Sequence, residues 1–268
     1  MKKILSVLLV ICIVCSAVFM ISCDKKNKDG QVDTSISAKE LVKTAVEKTE
    51  GSDALSGKMS MKMSMKLMGM SVDVPLDLEI KIKNAQSDMP TAYVDMNMSI
   101  MGMEQKMTMY SENGWGYYVM DGQEYKTYLG TEDDEYTSMA NSLVESLPDN
   151  ILDNQKVIKN SNGTRSVKVT LTKEQFGDIY ADFVEEMYAS MMGGSSDISE
   201  LEIDDIVITY TVASSGYLSK YEMSFNMGVN VQGINTTTTV KATMDYYEFD
   251  ADKITITPPA GYQNFPEM

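Results

Sequence analysis

A chain of 268 residues is long enough for one sizeable domain, and its 39 acidic against 23 basic side chains, a net charge of −16, set it against phosphate backbones and so against nucleic acid as a partner. Histidine is absent, and Cys12, Cys15 and Cys23 all lie at the N-terminal end. Ser-His and Cys-His nucleophiles, disulfide frameworks in the body and the commonest zinc and copper ligands are therefore missing, and no catalytic residue, cofactor or metal site is expected.

Lys2 and Lys3 precede an apolar run from Ile4 to Ile21, the layout of a secretory signal. The run ends in Met20-Ile21-Ser22-Cys23 and turns hydrophilic at Asp24-Lys25-Lys26-Asn27, an arrangement that resembles the bacterial lipobox. Residues 1–22 are thus expected to be a lipoprotein signal peptide and Cys23 the lipid attachment site, placing the body at the extracytoplasmic face of the cell membrane. An uncleaved anchor is the alternative, since about 18 apolar residues approach the length that spans a bilayer. Without Lys2 and Lys3, 21 basic side chains face 39 acidic ones, so the mature chain carries −18.

Residues 23–36 are polar and without period, and read as a flexible tether to a single domain over 37–268. Ser37 and Glu40 have capping-box spacing, Leu41, Val42, Ala45 and Val46 share a helical face, and Gly51 closes that helix. Period-two strands follow: Met59, Met61, Met63, Met65 and Leu67 alternate with Lys58, Ser60, Lys62, Ser64 and Lys66, then Val72 to Ile82 alternate with acids and lysines. Pro75 suggests an edge or bulge in the second of these. Val94, Met96 and Met98 repeat the pattern, and Met107 and Met109 carry it on in a new phase. The Met-Gly-Met segments at 68–70 and 101–103 are therefore expected hairpin turns.

Asp121-Gly122 predicts a tight hairpin between strands over 115–120 and 124–129, rich in Trp115, Tyr117, Tyr118, Tyr125 and Tyr128. A helix through Met139, Leu143 and Leu147 is expected to stop at Pro148. After a strand over 167–171, Thr172 with Gln175 opens a helix whose apolar stripe includes Phe176, Ile179, Phe183 and Met187, stopped at Gly193-Gly194. Three long strands, near 201–212, 217–231 and 236–249, and a short one over 254–257 end the chain. Ten residues of strand span about 33 Å, and antiparallel strands of such length twist and curl. The expected fold is α+β: a curved open antiparallel sheet, an unclosed half-barrel, covered by about three helices.

Ile254-Thr255-Ile256-Thr257-Pro258-Pro259-Ala260-Gly261 is similar to the terminal strand of the LolA-like group of bacterial lipid-handling proteins, in which alternating apolar residues run into Pro-Pro-x-Gly. The order of elements over 37–265 resembles that group too, and the Met-rich strands look like small lipoproteins of Gram-positive bacteria. The resemblance implies a half-barrel of about eleven strands and an apolar site under helices. Acyl-binding members latch their lid helices with an arginine. Arg165, the one arginine here, lies outside any recognisable motif.

Met59, Met61, Met63, Met65, Met96, Met98, Met107 and Met109, with Phe176, Ile179, Phe183 and Met187 from the helix, are the candidate lining of a site for an apolar, lipid-like ligand. Methionine suits that task because its three rotatable bonds let it mould to varied guests. The competing reading is a filled core in a structural or sensory interaction module whose protein partner the sequence does not name. Copper(I) on Met-x-Met thioethers ranks far lower, because one strand spreads its ligands in a row. Calcium at Glu132–Glu135, sugar stacking on the aromatic hairpin and a paired-carboxylate hydrolase rank lower than the solvated-loop, hairpin-packing and non-enzymatic readings.

Overall fold

Period-two alternation becomes one sheet. The computed structural model describes residues 30–67, 70–100, 102–129, 149–172, 174–175, 201–231 and 234–268. Its strands are β1 (Gln31–Asp33), β2 (Ala54–Leu67), β3 (Met70–Lys83), β4 (Thr91–Ile100), β5 (Met103–Glu112), β6 (Trp115–Met120), β7 (Gln123–Tyr128), β8 (Val157–Lys159), β9 (Arg165–Leu171), β10 (Leu201–Ile203), β11 (Ile206–Val212), β12 (Leu218–Val231) and β13 (Ile234–Glu248). They pair in the order β1-β8-β9-β11-β12-β13-β2-β3-β4-β5-β6-β7, with β10 beside β12. The path does not close, as expected of a half-barrel, and its thirteen strands exceed the expected eleven because the three-residue β1 and β8 carry too short a pattern to be read and the strand expected over 201–212 is broken at Asp204-Asp205 into β10 and β11.

All strand pairs are antiparallel. Four hairpins turn at one end of the sheet. Leu67 pairs with Met70, Ile100 with Met103, Met120 with Gln123 and Val231 with Ile234, so each loop has two residues. Both Met-Gly-Met segments are thus reversals. Asp121 and Gly122 have φ of 49° and 81°, the double positive φ that a type I′ turn requires. Pro75 sits where β3 outruns β4, whose pairing with β3 stops at Leu76, so the missing N–H costs no ladder bond on that side.

Two α-helices stand among the described residues, fewer than the three or so expected. In α1 (Ala38–Glu50) the amide of Glu40 donates to Ser37 Oγ at 3.1 Å, and Gly51 caps the end. The second, α2 (Asp149–Asp153), begins just past the proline read as a stop, a place where proline is compatible with helix entry. The capping pair expected at Thr172 and Gln175 forms in both directions, Thr172 N–H to Gln175 Oε1 at 2.9 Å and Gln175 N–H to Thr172 Oγ1 at 3.3 Å. The rest of that helix, and the helix expected before Pro148, lie outside the described residues.

Two expectations are corrected. The tether read over 23–36 is not featureless throughout, since Gln31–Asp33 joins the sheet as β1. Residues 254–257 form no strand despite their alternation. The preceding strand, β13, already has β12 and β2 on its two sides, leaving no free edge for the next segment to extend. Ile254 is instead a single buried anchor. Beyond it the chain crosses to the far edge, where the Lys126 amide donates to the Pro266 carbonyl and Lys126 bridges Glu267 in parallel.

Leu41, Val42, Ala45 and Val46 of α1 are buried, and this helix packs on β11 and β12 while α2 packs on β9. Thr49 pins the helix end to the sheet, accepting from the buried amide of Leu218 at 3.0 Å and donating to the Ala45 carbonyl at 2.8 Å.

Candidate functional site

The strand registers gather the inward residues into rows. One row runs Val167, Tyr210, Tyr221, Met244, Met59, Leu78, Met96, Met107 and Met120 across β9, β11, β12, β13, β2, β3, β4, β5 and β6. The next row towards the hairpin tips runs Val169, Ile208, Met223, Ala242, Met61, Leu76 and Met98. Neighbours in a row stand about 4.8 Å apart, so the methionines scattered over four hairpins in sequence become one continuous apolar wall.

All eight strand methionines named from the sequence share that face. Met59, Met61, Met96, Met98 and Met107 are buried, and Met63 and Met109 are half-buried. Along β2 the stripe surfaces towards its tip, from Met61 at 5 % exposure to Met65 at 36 %. On β5 the same face ends at Met103, 66 % exposed. At Met103 the cause is register: the pairing of β5 with β6 ends at Met107 and Met120, so Met103 has a paired neighbour on the β4 side alone, whereas Met65 lies near the tip of β2 with Thr238 and Val72 beside it. Cys23, Phe176, Ile179, Phe183 and Met187 lie outside the described residues. Met120, Met223, Phe225, Met227 and Met244 belong to the wall and were not singled out from the sequence, although the alternation Tyr221, Met223, Phe225, Met227 carries the same signal.

The other face is wet and ordered by charge. Lys62 pairs with Asp73 at 2.6 Å, Ser64 Oγ donates to the same carboxylate at 2.7 Å, and Ser60 donates to Asp77 at 2.7 Å. The Lys62 ammonium and the Ser64 hydroxyl hold the Asp73 carboxyl below the usual carboxylate range. Exposed pairs add little stability, but a one-residue slip would turn these charges onto the apolar wall, so they help to fix the register. A wide recess of about 780 Å³ on this face is bordered mainly by polar side chains, Asp204, Asp205, Asn226, Thr239 and Lys241 among them, with Val207 and Phe225 beside them. Nearby on β12, burial raises the Glu222 carboxyl, with Lys220 opposing the shift.

Aromatic residues of the β6–β7 hairpin contact one another. Tyr118 and Tyr125 stack with ring centres 4.9 Å apart, Trp115 meets Tyr128 edge-on at 5.3 Å, and Tyr117 meets Tyr262 of the C-terminal tail at 4.8 Å. Gly116 makes the first stack possible: a Cβ there would come within 2.9 Å of the Tyr118 ring. Rings engaged in this way fit hairpin packing better than sugar stacking. Among the described residues, no group of three or more His, Cys, Asp or Glu side chains could hold a metal ion.

No family model matches the sequence, and no curated protein matches it. Some solved structures are similar to the chain at low identity. LprF from Mycobacterium bovis is similar over 84 % of this chain and 97 % of its own, with 12 % identity and a TM-score of 0.35. A LolA superfamily protein from Nitrosomonas europaea is similar over 83 % and 99 %, with 10 % identity and a TM-score of 0.25. A DUF1329 family protein from Desulfovibrio piger is similar over 81 % and 95 %, with 11 % identity and a TM-score of 0.24.

Proposed function

We propose that the chain is a lipoprotein anchored through Cys23 at the extracytoplasmic face of the cell membrane, and that it binds an apolar, lipid-like ligand without chemical conversion. The observation that carries the ligand reading is the methionine wall that surfaces at Met65 and Met103. An isolated core has no reason to end in thioethers at its open rim, whereas an acyl chain entering there slides along a continuous apolar path. Binding is driven by removal of apolar area from water, and unbranched methionines rearrange to fit chains of different length and unsaturation. The net negative charge holds the body off anionic head groups, so the anchor supplies the attachment.

Titration with cis-parinaric acid, whose emission rises in apolar surroundings, tests the reading. Saturable binding is expected, weakened at least tenfold in Met63→Lys, which places a charge midway along the path. Absence of saturation in the parent protein, or equal affinity in the variant, would count against it.

A second reading, a docking or sensory module with a filled core, is favoured by the burial of Met59, Met61, Met96, Met98 and Met107. It predicts no probe uptake and a protein partner on the exposed tips.

A further inference from the structure

β1 is three residues long and pairs with β8, itself three residues long, at the sheet's edge. Gln31 is exposed and Val32 is 55 % exposed, so little apolar surface holds the strand down. Its one strong side-chain tie is Asp33, which accepts from Arg165 Nε at 2.8 Å across 132 residues of sequence. Ser35 organises the acceptor, its amide and hydroxyl both donating to Asp33 Oδ1. The only arginine of the chain is thus spent on the strand nearest the anchor. Edge elements with few buried contacts are those that open locally while the rest of a fold stays intact.

We propose that β1 is a releasable strap that sets the reach of the tether, with Asp33–Arg165 as its clasp. The meaning of reach rests on the lipid-anchored reading of Cys23; the strap itself does not. With β1 docked, the stretch from Cys23 to Gln31 is eight residues, which span at most about 28 Å. With β1 released, it extends to Ser35, just before Ile36, whose half-buried side chain packs against the core, and twelve residues span at most about 42 Å. Release therefore lengthens by about half the distance the body can stand from the membrane, without disturbing any row of the apolar wall.

Hydrogen exchange read by mass spectrometry on the full lipidated protein tests the clasp. The β1 amides are expected to exchange at least about a hundredfold faster than those of β9, and Arg165→Gln to speed them about tenfold more while β9 amides away from the substitution keep their rate. Asp33→Asn provides a second opening of the same clasp on the strand itself, and the double variant should exchange no faster than either single one. Exchange of β1 as slow as β9, or rates unmoved by both substitutions, would overturn the proposal. For reach, a donor dye on Ser214→Cys and acceptor-labelled phosphatidylethanolamine in vesicles should show less energy transfer in Arg165→Gln than in the parent; equal transfer would refute the change in reach. The intact mass of Cys23 separates the two readings, because an unmodified thiol would remove the anchor and leave the exchange result standing.

Discussion

Met61 and Met65 lie four residues apart on β2, face the same way and differ in one respect, 5 % against 36 % exposure. Replacing each by alanine removes three heavy atoms, worth about 2.4 kcal/mol of transfer free energy when fully buried. Alanine also escapes the ~1.5–2 kcal/mol that ordering a methionine costs, so transfer and entropy nearly cancel. What remains is the cavity. At Met61 the neighbours Leu76 and Ala242 hold the void open, and the loss should reach about 2–3 kcal/mol, the low end for buried methionine. At Met65 water fills the space, and the loss should stay under about 1 kcal/mol. Thermal unfolding by circular dichroism reads the difference as about 4–12 °C against less than about 4 °C, taking 2–4 °C per kcal/mol for a domain of this size. With cis-parinaric acid present the order should reverse for binding, Met65→Ala weakening affinity more than it weakens the fold. Equal losses of stability at the two positions would refute the burial gradient on which the rim rests.

Gly116→Ala should destabilise by about 1–3 kcal/mol, because the added methyl lifts Tyr118 off Tyr125, and near-ultraviolet circular dichroism should lose tyrosine signal. Thr49→Val leaves the buried Leu218 amide without its acceptor and should cost about 1–3 kcal/mol in urea titration, whereas Thr49→Ser should recover most of it. Glu222→Gln should raise the melting temperature at neutral pH. Burial raises this carboxyl in the folded state, so the stability it contributes is present below its unfolded pKa and lost as pH rises through the folded one. The gain from Glu222→Gln should therefore vanish below about pH 4, and a gain of the same size at acid pH would contradict the assigned cause.

How far the fold was legible depends on the length of each pattern. Fourteen residues of alternation in β2 and β3 fixed both the faces and the strand type, and glycine at a change of phase located the reversals. β1 and β8 escaped because three residues hold at most one full period; β1 exists through a pairing partner far away in sequence, and β8 is held between it and the neighbouring β9. Residues 254–257 misled for the opposite reason. Their alternation is intact, but a strand needs a free edge, and edge availability belongs to topology. The wall itself was readable as a list of methionines. Its gradient was not, since the exposure of Met103 follows from where β5 outruns β6 and that of Met65 from its place near the tip of β2, relations within the sheet that periodicity along any one strand does not contain. The β12 and β13 share of the wall was overlooked because its methionines are diluted by Phe225, Val240 and Ala242.

Native mass spectrometry of the protein released gently from its own membrane tests the central claim most directly. A folded population carrying extra mass that resolves into one or more lipids, absent when Met63 is replaced by lysine, is the predicted result. Spectra showing only the bare acylated chain, repeated across detergents and unchanged after incubation with membrane lipid extract, would contradict the binding wall and leave the filled-core docking module in its place.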